Sequence, residues 1–182
     1  MTVLRTEGTP EGAVAHPAAD VPAELQIRML TEQEWPTLRD VRLVALRDSP
    51  WSFLSNYEQE LEYDDERWAD EFRRGDWMVA SQQDEIVALL GATGYNDIPA
   101  TDRYLEYLWV TPTSRKSGVA SDLIRAMLGR LRANGAAAVW LWILVGNTPA
   151  QQLYEKFGFV NTDVPEQVPD GRYEQRMKLV FR

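Results

Sequence analysis

The run AVWLWILV at residues 138–145 contains no polar residue. A stretch that is apolar without alternation suits a strand covered on both faces, so it belongs inside a layered α/β structure and not at a solvated edge. Its neighbours agree. Upstream, GVASDLIRAMLGRLRANG places Val119, Leu123, Ile124, Met127, Leu128 and Leu131 on one helical face, and Gly135 supplies a stop. Before that helix, RYLEYLWV at 103–110 reads as a strand closed by Thr111 and Pro112. Downstream, Thr148, Pro149 and Gln151 predict an N-cap, an N1 proline and an N3 partner for a helix to about Phe157.

Earlier segments complete the pattern. LQIRML at 25–30 alternates as a first strand, and residues 35–47 place Leu38, Val41, Leu43, Val44 and Leu46 near helical spacing behind a capping box of Thr31 and Glu34. WMVAS at 77–81 and IVALLGATGY at 86–95 flank a turn as a hairpin. FGFV opens another strand, and residues 173–181 form the last. Strands first, then strand–helix–strand–helix–strand, predict a mixed α/β (α+β) sheet. A length of 182 residues favours one domain. Residues 1–23, with Pro10, Pro17, Pro22, Gly8 and Gly12, read as a flexible tail, leaving 24–182 as the folded domain.

Residue usage excludes whole classes of chemistry. Cysteine is absent and the only histidine is His16, in the tail. Disulfides, thiolate nucleophiles, His-based triads and Cys/His metal centres are therefore ruled out as readings, and no metal is expected. No apolar run approaches the roughly 18 residues of a membrane helix, and no basic-then-apolar start suggests a signal peptide, so a cytoplasmic protein with no membrane partner is expected. The net charge is −9, with −3 in residues 1–24 and −6 in residues 55–76. Nucleic acid is disfavoured as a partner, and a cationic one is favoured.

The turn RKSGVA at 115–120, set between a strand and an amphipathic helix, has the chemistry of an anion cradle. The first helical N–H groups lack intrahelical acceptors, the helix dipole is positive there, and Gly118 permits close approach. Ala120 is small, and Arg115 and Lys116 add charge. An ordinary polar turn would look similar. It is neither a Walker P-loop nor a Rossmann fingerprint.

VTPTSRKSGVASDLI resembles the acetyl-CoA signature [RQ]-x-x-G-x-[GA] of the GCN5-related N-acetyltransferase (GNAT) superfamily, with Arg115, Gly118 and Ala120 in the fixed positions. NTPAQQLYEKFGF resembles a second motif of that family at Asn147, Ala150, Leu153, Tyr154, Gly158 and Phe159. Lys116 stands where glycine is common, and Ala120 replaces a second glycine. The resemblance spans roughly residues 25–182. It implies a sheet splayed between its fourth and fifth strands with acetyl-CoA (coenzyme A) in the gap. The pyrophosphate would lie on residues Arg115, Lys116, Ser117, Gly118, Val119 and Ala120, with Ser121 beside it. The pantetheine arm would follow Leu108, Trp109 and Val110, facing Asn147 and Ala150. The resemblance also makes Tyr154 the general acid; on residue pattern alone it reads as a core aromatic.

Glu106 is the only acid in RYLEYLWV. A carboxylate in an apolar strand is costly unless paired or used. It is the candidate base, and a salt-bridged or exposed position is the alternative. Direct transfer of an acetyl group to a primary amine, in a ternary complex, suits a chain without cysteine. For the acceptor side, Trp51, Phe53, Tyr57 and Tyr63 are candidate walls, and Glu58, Glu60 and Glu62 candidate attractors of a cation; a solvated face with core aromatics is the competing reading. A small cationic amine is the expected acceptor. A protein N-terminal or lysine acetyltransferase and a non-catalytic acyl-CoA-binding module are the alternatives, and the family resemblance allows a homodimer.

Overall fold

The computed structural model describes residues 24–182, so the tail at 1–23 lies outside the described residues. The strands are β1 (Gln26–Met29), β2 (Gly75–Gln82), β3 (Glu85–Thr93), β4 (Arg103–Val110), β5 (Ala138–Leu144), β6 (Val160–Asn161), β7 (Glu166–Gln167) and β8 (Tyr173–Val180). The helices are α1 (Trp35–Asp48), α2 (Tyr57–Leu61), α3 (Asp65–Arg73), α4 (Val119–Ala133) and α5 (Thr148–Glu155). They form one sheet in the order β1-β2-β3-β4-β5-β8-β6, with β7 on β8. Every pairing is antiparallel except β4 with β5. This is the expected mixed sheet.

The parallel pair is also where the sheet comes apart. Only Arg103↔Val139 and Tyr104↔Trp140 are in register, after which the two strands diverge. Helices cover both faces. On one side α4 and α5 pack Leu123, Ile124, Met127 and Tyr154 against Leu90, Leu105 and Leu141. On the other, α1 and α3 bring Leu38 and Phe72 onto Trp77, Val79 and Leu89.

A bulge in β4 re-phases the alternation of side chains. Gly91 pairs with Glu106 and Leu89 with Trp109, so Tyr107 and Leu108 together oppose Leu90. Tyr107 takes φ +61, a left-handed conformation that a bulky residue adopts only when its surroundings demand it. Its ring stacks 5.0 Å from Trp77 and its hydroxyl donates to Glu71 Oε1 at 3.0 Å. The extra residue leaves Glu106 and Tyr107 on the α1/α3 side and returns Leu108 and Val110 to the α4 side.

Several local expectations are revised. The capping box of Thr31 and Glu34 exists, but it opens a 3₁₀ turn, Glu32–Glu34, from which α1 continues. Within α1, Arg42 is buried and Val44 is exposed, because the inward stripe runs through Leu38, Arg42, Ala45 and Leu46. The N-cap of α5 is Asn147, not Thr148: its side-chain oxygen accepts the Ala150 N–H at 3.3 Å. The strand expected from FGFV starts only at Val160, since Gly158 turns the chain at φ +90.

Arg42 and Glu60, each 2% exposed, form a pair in which Nε and Nη2 both reach the carboxylate at 3.0 and 2.8 Å. The guanidinium lies 3.9 Å from the Tyr107 ring centre and 4.6 Å from that of Phe53. Arg42→Ala would leave Glu60 charged and unpaired, at a cost of about 3–5 kcal/mol in urea unfolding. Arg42→Met combined with Glu60→Leu should recover most of it. A single variant within about 1 kcal/mol of the parent would show that the pair supports nothing.

Candidate active site

Where β4 and β5 part, a cleft of about 670 Å³ opens. It is lined by Glu106 and Leu108 from β4, Trp142 and Leu144 from β5, and Ala150 and Tyr154 from α5. Phe53 and Tyr63 wall it from the segments flanking α2. Residues the sequence scattered over a hundred positions thus share one cavity. An adjoining groove of about 550 Å³ contains Trp51, and it shares Ser52, Leu144 and Asn147 with the cleft.

Glu106 is held and left open at once. Oε2 accepts the Tyr95 hydroxyl at 3.1 Å, and Oε1 is buried without a well-formed hydrogen bond, the buried Thr93 hydroxyl acting on the same carboxyl. Burial pushes the carboxyl above its ordinary 4.5, with the Glu71 charge adding to the shift. A chain of contacts supports it from behind. The Arg74 guanidinium lies 4.9 Å from the Tyr95 ring centre and donates to Glu71 Oε2 at 2.8 Å, while Tyr107 takes the other Glu71 oxygen. Tyr154 is buried, its ring 5.6 Å from Phe159 in an edge-on arrangement, and burial pushes its phenol well above the ordinary value.

The head of α4 lies beyond the cleft lining. Its N-cap is Gly118 at φ +95, preceded by Lys116 at φ +64, and no side chain caps it. The first backbone bond of the helix is Asp122 N–H to the Gly118 carbonyl at 3.1 Å, so the N–H groups of Val119, Ala120 and Ser121 have no intrahelical acceptor. A Cβ built on Gly118 meets nothing within 4 Å, so the space over the turn is open. Uncapped amides, a positive helix end and an open approach fit a pyrophosphate. Ser117 Oγ is turned inward, donating to the Ser114 carbonyl at 2.6 Å.

Arg115 is placed differently from a free cation over that turn. Its Nε donates to the Val110 carbonyl at 3.0 Å, and Nη2 contacts Asp48 Oδ2 and Ser49 Oγ. Trp109, buried, sends its indole N–H to the same Asp48 oxygen at 2.8 Å. Burial alone would raise the Asp48 carboxyl, but the donors from Trp109 and Ser49 and the Arg115 charge hold it below its ordinary 3.8. The guanidinium therefore anchors the turn to the end of β4 and to α1.

On the acceptor side, Phe53 and Tyr63 face the cleft, whereas Tyr57 packs under Arg47 at 5.2 Å and Glu58 is exposed on α2, so neither lines the cavity. Glu60 lines it but is matched by Arg42, and Glu62 is exposed. Sequence reading missed Tyr95, Glu71, Arg74 and Glu174, all of which line the cleft. Arg42 was legible in principle: a charge at an inward position between Leu38 and Leu46 flags a buried ion pair.

Among the described residues no cluster of three or more Asp, Glu, His or Cys is placed to hold a metal. No helix among them is long and apolar enough to cross a membrane.

Comparison with known proteins gives a consistent picture. The family described as "Acetyltransferase (GNAT) family" matches residues 43–159. A [ribosomal protein bS18]-alanine N-acetyltransferase of Haemophilus ducreyi is 31% identical over 104 residues, covering 56% of this chain and 69% of that protein. A mycothiol acetyltransferase of Streptosporangium roseum is 38% identical over 74 residues, but these cover 41% of this chain and only 21% of that one. Among solved structures, an acetyltransferase of the GNAT family from Streptococcus pneumoniae superposes with TM-score 0.71 at 16% identity, over 87% of this chain and all of its own. A spermidine N-acetyltransferase from Vibrio cholerae, in complex with CoA and spermine, gives 0.66 at 18% identity, over 86% and 95% of the two chains.

One side chain ties the two walls of the cleft mouth. Arg172, in the turn between β7 and β8, donates Nη1 to the Trp51 carbonyl at 2.8 Å and Nη2 to the Phe53 carbonyl at 3.1 Å, while Nε pairs with Asp170 at 2.7 Å. Arg172→Ala should loosen this strap without unfolding the core. Amide hydrogen exchange around residues 51–54 should quicken at least about tenfold, the size expected for losing even one of the two charge-assisted bonds, with little change in α4. Unchanged exchange there would show that the segment is held by other contacts.

Proposed function

The chain belongs to the acetyltransferase (GNAT) family and is an acetyl-transferring enzyme that uses acetyl-CoA; on that basis we propose that it acetylates the primary amine of a small cationic acceptor, in the cytoplasm, by direct transfer in a ternary complex. The observation that carries the proposal is a carboxylate oxygen, Glu106 Oε1, buried without a well-formed hydrogen bond in the same cleft as Tyr154.

Acetyl-CoA supplies the acetyl group as a thioester. Val119, Ala120 and Ser121 offer their amides to its pyrophosphate, with Gly118 keeping the turn open, Lys116 adding charge and Ser117 bracing the turn from within. Arg115 acts here by anchoring the turn. Leu108, Trp109 and Val110 provide the strand end along which the pantetheine arm would run, opposite Asn147 and Ala150.

An acceptor amine arrives protonated, with a pKa of about 10, and must lose a proton to attack. Glu106 Oε1 receives it, directly or through a water. Burial makes this carboxylate a stronger base than an exposed one, which narrows the gap to the ammonium. As the N–C bond forms and the C–S bond breaks, the departing sulfur takes a proton along a hydrogen bond from Tyr154 Oη, while the adduct's nitrogen releases its second proton to solvent, from which the phenol is restored. Burial raises the phenol's pKa, so it stays protonated until that moment.

A second reading is favoured by one feature. The adjoining groove, continuous with the cleft and edged by the exposed Trp51 and Tyr173, has room for chain beyond an N-terminal amine. The H. ducreyi relative is named for acting on a protein alanine. Thiol release from a panel of small amines and short peptides decides between the two.

Glu106→Gln should lower kcat by about 10²–10⁴-fold with acetyl-CoA affinity unchanged, and the acid limb of the kcat profile, set by a carboxyl above 4.5, should disappear. The sign follows from a base that works only when ionised: activity is lost as pH falls through its raised pKa. Tyr154→Phe should also act on kcat and not on acetyl-CoA binding. Gly118→Val, forced into a left-handed backbone, should weaken acetyl-CoA on the order of tenfold by calorimetry. A folded parent chain that fails to bind acetyl-CoA at millimolar concentration would overturn the proposal.

A further inference from the structure

Three ion pairs among the residues bordering the cleft are internally matched: Arg42 with Glu60, Arg74 with Glu71, and Arg176 with Asp97. Of the charged side chains that line it, Glu106, Glu174 and Arg67 remain. Glu106 stands on β4, one arm of the splay. Glu174 stands on β8, paired in register with Leu144 of β5, the other arm. Its side chain is partly buried and makes no hydrogen bond or contact ion pair with any described residue; the Arg172 charge acts on it, but that guanidinium is bound to Asp170 and to the Trp51 and Phe53 carbonyls. Arg67 is exposed on α3, its guanidinium 5.3 Å from the Tyr63 ring centre, where water and salt screen it.

Two carboxylates without a direct cationic partner thus line one cavity from its opposite arms, whereas the rings of Phe53, Tyr63 and Trp142 already carry the guanidinium groups of Arg42, Arg67 and Arg176. A half-desolvated carboxylate attracts a cation. Glu106 needs only one cation, the amine that reacts. Glu174 needs another. Burial pushes its carboxyl up and outweighs the Arg172 charge, with Asp170 and Glu166 adding to the rise, so its charge is disfavoured until a further cation arrives.

We propose that Glu174 is a specificity-determining residue that holds a second, non-reacting cationic group of the acceptor, and that the acceptor class is therefore a diamine: one amine is acetylated at Glu106 while the other is retained at Glu174. This rests on the acetyl-transfer reading above. An alkylamine of the same length reaches Glu106 but leaves Glu174 uncompensated. An ω-amino acid places a carboxylate against it, which like-charge repulsion opposes.

The test uses the full chain with saturating acetyl-CoA, and compares putrescine, n-butylamine and γ-aminobutyrate, which share one chain length. Putrescine should be used with a kcat/KM at least tenfold above n-butylamine, the size of one hydrogen bond to a charged group. Glu174→Gln, nearly isosteric, should abolish that preference by raising KM for putrescine, with kcat, n-butylamine turnover, acetyl-CoA affinity and melting temperature unchanged. Glu174→Asp should keep part of the preference. Equal use of the diamine and the monoamine, or an equal effect of Glu174→Gln on both, overturns the proposal. So does a preference for γ-aminobutyrate, which would point to Arg67 and an anionic acceptor end. Acetyl-CoA binding without thiol release from any of the three overturns the diamine acceptor while the donor half of the enzyme stands. Failure to bind acetyl-CoA removes both readings together.

Discussion

The parting of β4 from β5 after two residue pairs is the constraint from which the functional geometry follows. A parallel pair that stayed in register would fill its own gap with backbone hydrogen bonds and leave no cavity. Divergence exposes two strand edges to one cleft, and those edges must be kept apart without being wetted at random. The cores on either face do this. Helices α4 and α5 fill one side with aliphatic side chains, and α1 and α3 fill the other around Trp77. The bulge at Tyr107 then decides which side chains of β4 face which side. One extra residue returns Leu108 and Val110 to the α4 core while Glu106 stays on the side of Tyr95 and Glu71. The strained backbone of Tyr107 is held by its ring stacking and its bond to Glu71, so the cost is met by contacts that also form the floor of the cleft.

The acceptor half is electrostatically closed on itself to an unusual degree. Arg42, Glu60, Tyr107, Glu71, Arg74 and Tyr95 form one run of ion pairs, hydrogen bonds and stacked cations that ends on Glu106. A network of this kind positions its terminal carboxylate rigidly, because each member is fixed by the next. It also explains why the acidic segment is a poor guide to the site. Its net −6 is largely spent on caps, surface pairs and the buried Glu60 and Glu71.

Much of the fold could be read from the chain. The boundaries of β4, the apolar course of β5 and the amphipathic face of α4 appear where periodicity places them, because each is a long element whose burial pattern dominates its neighbours. The short pieces were harder. One residue separates the expected and actual N-caps of α5, since Asn147 and Thr148 both have capping chemistry. The cleft itself was legible where a residue broke its local pattern or a motif marked it: Glu106 as the lone acid of an apolar strand, Phe53 and Tyr63 from the aromatics of an acidic segment, Tyr154 from the motif; Tyr95, Arg172 and Glu174 carry no local signature. What makes them part of the site is the splay, and a splay is a relation between strands that no single segment encodes.

Asp48 shows a different kind of dependence. One carboxylate oxygen receives the indole of Trp109 at the end of β4, the hydroxyl of Ser49 at the end of α1, and the guanidinium of Arg115 in the turn that leads to α4. The turn's amides are local, but its position is borrowed from a helix more than sixty residues earlier. Residues 115–120 are therefore not a portable module. Grafted onto another strand and helix, they would carry the amide donors and the left-handed glycine, but not the partner that tells them where to stand.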